Sequence, residues 1–538
     1  MIIWQDDDNF RKLDLVCLGL SCKRLYTIMS AIIHPSTTSN NKGNANGKSN
    51  VISDEHGQIY TSKEYSQWSC PTTPGGPTSV TTRKYDDFNK PLKLGQLPPT
   101  LTSLSLGSSF DQDIDKDVLP KSITTLTFGG SFSKPLLPGV LPDALTHLAL
   151  GDTFDHVLEV GLLPSSITSL SLGSSYDRRI ERDVLPRSLT SLVFGYNFNQ
   201  TIDVGVIPPS LASLTFGQFY RQPLVIGALP VGLTSLTFGG YFNDDLQPGV
   251  LPVSLTYLQF GQFYNRSFVE GSLPSAMRTL VCGNLYNRPL TLGSMPMSLT
   301  SITFGQAYNR PLIPHALSAS LTYLELGFDY DQIIDVDMLP NSLGTLVLGQ
   351  SFNQPIHKGV LPASLTALTL GEEFKALIVF PLQLKSLSIY TMSQLHYVQH
   401  IQQPTFDHLI IRYCPLDYKP ELPTKLITWP TSSSSSQCVI LSHINNLSIN
   451  VYYDTNSPNS SQKSKTIQIG LMKSLMMRMP FIVDSYTLCI NIPRSSVSSV
   501  ANQPINFKMM PIKDNPRMAL MNKSSSSSLK TWIKRLKL

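Results

Sequence analysis

Gly43 to Ser49, GNANGKS, is the first stretch of the 538-residue chain whose residue types suggest chemistry, because glycines followed by Lys-Ser can wrap backbone N–H groups around a phosphate. A phosphate loop needs four residues between its glycines; this stretch has three and lies in polar low-complexity sequence, so it predicts no nucleotide site. His396 and His400, spaced i,i+4 in HYVQH, could share a metal on one helical turn, but no third ligand stands near them. Asp111, Asp113, Asp115 and Asp117 alternate as calcium ligands can, without the glycine and closing glutamate of an EF-hand loop; they read as a solvated face. No Gly-x-Ser-x-Gly occurs, and the seven cysteines are scattered without a Cys-x-x-Cys pair, a usage that suits a reducing compartment. The expectation is a protein with no catalytic centre, no metal and no cofactor.

Contact chemistry is better represented. The triplet YNR occurs three times at one spacing, placing Arg266, Arg288 and Arg310 in equivalent positions 22 residues apart. If those positions stack, three guanidinium groups stand side by side and repel one another unless something acidic lies between them, so an acidic or phosphorylated peptide is the expected ligand. The alternative is that each arginine splays into water at an exposed turn. A formal net charge of only +5 over the whole chain offers no global field for nucleic acid, and none is expected as a partner.

The elements that would position these arginines follow from one period. Gly107, Gly129, Gly151 and so on to Gly371 recur every 22 residues without an insertion, so each unit must stack on the last in register. Before each glycine runs apolar-x-x-apolar-x-apolar, as in Leu255, Leu258 and Phe260, the alternation of a short half-buried strand. Upstream a Leu-Pro pair such as Leu251-Pro252 stops the strand from extending backwards, and the glycine is expected to let the chain leave it sharply. Three residues after the glycine comes an aromatic, Phe110 through Phe374, predicting a continuous ring spine; four residues later an aliphatic closes the far wall. Strands repeated in one direction with a return between them must pair in parallel. The expected fold class is therefore a β-rich repeat solenoid, a leucine-rich-repeat-like stack of 22-residue coils with a parallel sheet, plus a small helical N-terminal segment.

The pattern departs from the leucine-rich repeat in lacking Asn or Cys just after the strand, and its next apolar residue falls one position early. FNQPI at Phe352 to Ile356, with YFNDDL, LYNRPL and AYNRPL elsewhere, resembles the FNIP repeat, a family grouped with leucine-rich repeats. The resemblance implies a leucine-rich-like solenoid and brings no enzymatic activity with it. On the sheet face away from the core, small hydroxylic residues dominate; Tyr257, Gln259, Tyr323 and Glu325 are the exceptions and the second candidate contact site.

Outside the array, LDLVCLGLSCKRLYTIM at Leu13 to Met29 resembles the second half of an F-box, with Leu15, Leu18, Leu20 and Cys22 at matching positions and Leu25 where the family has tryptophan. The resemblance implies contact with a ubiquitin-ligase adaptor, the solenoid then serving as substrate receptor for a cullin-type ligase. Ser21 replaces an apolar residue and the Leu-Pro-x-Glu opening is lacking; the alternative is a short amphipathic helix packed on the first coil. The expected organisation is residues 1–34 as this segment, 35–82 as a polar disordered linker, 83–389 as the solenoid, 390–450 as degenerate coils and a cap with a shortened coil near Phe380, and 451–538 unassigned. The tail from Ser524 to Leu538 sets Leu529, Trp532, Ile533 and Leu536 on one helical face among basic residues, a segment able to touch a membrane surface or an acidic groove, or simply to dock or fray. Three aspartates stand where a signal peptide needs a basic end and an apolar run, predicting a cytoplasmic or nuclear rather than secreted protein. The leading expectation is a non-enzymatic protein-interaction scaffold; its rivals are a structural spacer without a ligand and an enzyme with its activity in residues 451–538.

Overall fold

The computed structural model describes residues 88–391 throughout, together with Gln394 and the strands Val51–Ser53, Ile59–Thr61, Thr82–Tyr85, Val398–Gln399, Phe406–Pro415, Ile444–Tyr452, Val483–Asn491 and Ile505–Lys508. Gly43 to Ser49, Leu15 to Leu25, His396, His400 and the C-terminal tail lie outside the described residues. Two compact units divide the chain, Met1–Ser318 and Ala319–Leu538.

In the first unit, Val51–Ser53 and Ile59–Thr61 make a small antiparallel pair. The main sheet starts at Thr82–Tyr85, which pairs in parallel with Ser103–Leu106 one residue short of the period; from Ser103 it advances by one 22-residue coil at a time to Ser301–Thr303. Leucine meets leucine at most steps, as in Leu104 with Leu126 and Leu236 with Leu258, and Ile302 takes the place beside Leu280, so the register is that of the repeat. The second unit repeats the plan: Tyr323–Glu325, Thr345–Val347, Ala367–Thr369, Ser386–Ile389, Phe406–Pro415, Ile444–Tyr452 and Val483–Asn491 pair in parallel in that order, and Ile505–Lys508 adds on antiparallel. Ala367 pairs with Ser386, three residues short of the period, and Ser386 with His408 restores it. Parallel pairing thus continues past residue 450 into the stretch that the sequence pattern leaves unassigned.

Each unit is a β-solenoid, and nearly every letter of the repeat has a packing reason. The three apolar positions around each strand are buried, as are the aromatic three residues past the glycine and the aliphatic beyond it. Successive spine rings lie nearly parallel with centroids about one coil apart, 6.2 Å for Phe242 and Tyr264 and 6.1 Å for Phe352 and Phe374. Where the last strand position is Phe, its ring stacks on the spine at 3.7 Å, as Phe260 does on Tyr264. Such contacts contribute roughly 0.5–1.5 kcal/mol per pair beyond burial.

The glycine column corrects the sequence expectation. None of these glycines has a positive φ, so freedom to turn is not what selects them. A Cβ built on Gly217 would lie 1.7 Å from the carbonyl oxygen of Gly195, and one on Gly349 would lie 1.8 Å from that of Gly327. The coils approach backbone to backbone here, and hydrogen is the only side chain that fits. Left-handed backbone occurs instead ten residues later, at Gly139, Gly161, Gly205, Gly249 and their equivalents, with Asp117, Asp183, His315 and Asp337 taking the position in four coils.

Side-chain hydrogen bonds also climb the stack. The serine before the first apolar position donates to the main-chain oxygen of that position one coil earlier, as Ser254 Oγ does to Leu233 at 2.6 Å. The residue after the spine aromatic accepts through its side-chain oxygen from the backbone N–H of its counterpart one coil later: Asn243 from Asn265 at 2.9 Å, Asn265 from Asn287 at 3.0 Å, Asn287 from Asn309 at 3.1 Å. The asparagine that is lacking just after the strand therefore has a counterpart past the ring spine, where Asn243, Asn265 and Asn287 form a ladder. It satisfies turn N–H groups that would otherwise lack a partner.

Candidate functional site

The arginine column is built on this ladder. Arg266, Arg288 and Arg310 each follow a ladder asparagine, and each donates Nε–H to the backbone carbonyl of the ladder residue one coil earlier: Asn243 at 3.1 Å, Asn265 at 3.0 Å and Asn287 at 3.1 Å. Fixing Nε restrains the guanidinium plane and leaves the Nη donors for another acceptor. The three side chains occupy equivalent places in three consecutive coils of the first unit, so the structure brings together what the triplets predict. Arg288 and Arg310 are exposed and Arg266 half-buried.

In two other coils of the same column, those of Arg178 and Lys134, the chain satisfies its own cation. Arg178 Nε also donates to a ladder carbonyl, that of Asp155 at 3.2 Å, but its Nη2 reaches the Asp155 carboxylate at 2.8 Å. Lys134 pairs with Asp111 at 3.5 Å, and the Asp111 carboxyl is held below the usual range first by the Ser133 backbone N–H. At Arg266, Arg288 and Arg310 the ladder residue is asparagine, so the carbonyl partner is kept and the carboxylate is replaced by an amide. Among the described residues, no carboxylate lies within ion-pair distance of these three guanidinium groups.

The sheet-face candidates do not form one cluster. Tyr257 Oη donates to Gln259 Oε1 at 2.7 Å in the first unit, and Tyr323 Oη donates to Glu325 Oε2 at 2.8 Å in the second. Each is a pair along its own strand, half-buried. Burial, followed by the Glu325 charge and hydrogen bond, pushes the Tyr323 phenol above its ordinary value. Leu15, Leu18, Leu20, Cys22 and Leu25 lie outside the described residues.

A second column escapes sequence patterning. Two residues past the glycine, most coils carry small or polar side chains, but Phe219, Tyr241 and Phe263 are successive there and Leu285 follows. Their rings stack on the outside of the turn: Phe219 on Tyr241 at 5.0 Å, Tyr241 against Phe263 at 4.7 Å, and Tyr196 closing edge-on against Phe219 at 5.1 Å. Tyr196 is 53% exposed, Tyr241 37% and Leu285 43%. Arg221 sits 5.7 Å over the Tyr241 ring, which shows that the position after the spine aromatic in one coil reaches the outer ring of the next.

Comparison with known proteins agrees with the repeat architecture. The family model described as FNIP Repeat matches residues 88–131, 132–175, 176–219, 220–263 and 264–307, then 286–329, 308–351, 330–373 and 352–391. The chain belongs to the FNIP repeat family. Among solved structures the chain is similar to CroV588, described as a novel circular LRR protein structure, at 29% identity and a TM-score of 0.60 over 79% of this chain; the match spans 58% of that protein's length. It is also similar to an internalin from Listeria monocytogenes at 15% identity, covering 62% of this chain and 89% of that one, with a TM-score of 0.37. No curated protein matches the chain. Among the described residues no helix is long and apolar enough to cross a membrane.

Proposed function

We propose that this FNIP-repeat solenoid is a non-enzymatic protein-interaction scaffold of the cytoplasm or nucleus, and that an acidic or phosphorylated segment of a partner lies along Arg266, Arg288 and Arg310. The observation that supports the reading is the exchange of carboxylate for amide in the ladder: Asp155 neutralises Arg178, whereas Asn243, Asn265 and Asn287 orient the next three arginines without neutralising them. Pre-oriented guanidinium groups at coil spacing suit carboxylates or phosphates along an extended segment, whose side-chain repeat is of the same order. Tyr257 with Gln259 and Tyr323 with Glu325 are secondary contact points on the sheet face.

The fold itself suggests the test. In N265D and N287D the ladder oxygen still accepts its backbone N–H, as Asp155 does for Asp177 at 3.0 Å, while the new carboxylate pairs with Arg288 and Arg310. A fluorescein-labelled peptide of alternating phosphoserine and glutamate is titrated into the full chain and followed by anisotropy. The double variant is expected to unfold at the same temperature and bind at least about tenfold more weakly, the weight of one good charged contact. Equal binding by the folded double variant, or none by the wild-type chain, contradicts the reading; the latter favours a spacer.

The F-box-like resemblance at Leu15, Leu18, Leu20, Cys22 and Leu25 extends the proposal to a substrate receptor of a cullin-type ubiquitin ligase. Recovery of the adaptor by the full chain but not by a chain lacking residues 1–34 is the expected result, and recovery by neither removes the extension.

A further inference from the structure

The outer ring column and the arginine column share turns. Phe263 stands three residues before Arg266, and Leu285 three before Arg288, so the apolar strip through Tyr196, Phe219, Tyr241, Phe263 and Leu285 and the basic strip through Arg266, Arg288 and Arg310 overlap in the coils of Gly261 and Gly283, with rings alone before them and Arg310 alone after. Their span, from the coil of Gly195 to that of Gly305, is five coil steps, roughly 24 Å and about seven residues of extended chain. From this placement we propose that the two strips form one bipartite docking site for an extended segment of a partner protein, with large apolar side chains at one end and carboxylates or phosphates at the other. The proposal rests on the arginine reading above and adds the apolar half, the length and the polarity of the ligand.

The occupant is argued from charge and from the rings. Aromatic side chains beside arginines also suit single-stranded nucleic acid, which needs open ring faces on which bases stack. Here the inner faces are taken: Phe219 and Tyr241 stack at an interplanar angle of 18°, and Tyr241 and Phe263 lie 31° apart at 4.7 Å. What remains outward is largely ring edge, which packs against aliphatic and aromatic side chains. Asp244 and Asp245 also interrupt the positive charge just before Arg266, disfavouring a continuous polyphosphate. A protein segment with separate apolar and acidic blocks meets every one of these features.

A library of random dodecapeptides is selected on the full chain, and the enriched peptides are measured against three variants: Y196S/Y241S and Y241E, which alter exposed rings, and N265D/N287D, which keeps the ladder oxygen. Enriched sequences are expected to carry an apolar block followed at fixed spacing by an acidic block, to bind both ring variants about tenfold more weakly, and to bind N265D/N287D about tenfold more weakly, with the thermal unfolding of the variants unchanged. Peptides that are acidic only and indifferent to Y196S/Y241S and Y241E overturn the bipartite site while leaving the arginine reading standing. Peptides sensitive to the rings but indifferent to N265D/N287D overturn both. No enrichment, or an oligo(dT) strand whose binding is lost in the same variants, also overturns the proposal.

Discussion

A methyl group on Gly217 has nowhere to go: its carbon would sit 1.7 Å from the Gly195 oxygen, backbone against backbone. G217A is expected to cost about 3 kcal/mol or more in chemical denaturation, because coils on both sides must shift. The glycine column is plain in the sequence, but its cause is not, since only stacking puts a neighbouring carbonyl where Cβ would be. The asparagines after the spine aromatics are equally plain as letters, and their ladder is hidden for the same reason. Phe and Tyr alternate in the spine with no visible rule, yet the hydroxyls of Tyr220, Tyr264 and Tyr286 are buried without a hydrogen-bond partner. Y264F is therefore expected to leave stability unchanged or raise it by about 1 kcal/mol, and F242Y to lower it by a similar amount or more.

Within a coil, the left-handed position decides where a substitution can help. Asp117 and His315 adopt φ of 66° and 63° where most coils use glycine. D117G and H315G are each expected to stabilise by about 0.5–1 kcal/mol, the relief of left-handed strain exceeding the entropy that glycine loses on folding. G249A should move the other way, and thermal unfolding of the three variants checks the order. Strand, aromatic and aliphatic positions were readable because burial repeats them in every coil, and the shortened coil before Ser386 was readable as a break in that repetition. The outer rings were not, because Phe219, Tyr241 and Phe263 occupy a position that tolerates Ser, Thr, Asn and Ala elsewhere, so no period announces them. The arginine triplets were visible, whereas the amide-for-carboxylate exchange that leaves them unneutralised required the ladder.

Across the molecule, stacking concentrates phenols in the core. Burial pushes Tyr176, Tyr220, Tyr264 and Tyr286 above the ordinary tyrosine value, so the folded chain keeps protons that the unfolded chain releases near pH ~10. Their raised values give stability that is fully present below that pH and is lost as pH rises toward the folded values. Denaturant midpoints are expected to fall above pH ~10, and a Y220F/Y264F/Y286F variant should lose less over the same range.

The central claim is that a partner is read first by the turns past the ring spine, at the arginine column, and only secondarily by the sheet face. Amide hydrogen exchange of the full chain, alone and saturated with the phosphoserine–glutamate peptide, tests it most directly. Slowed exchange greatest at residues 262–266, 284–288 and 306–310 is predicted; protection of the strands Ser235–Thr237 and Tyr257–Gln259 with those turns unchanged would contradict it.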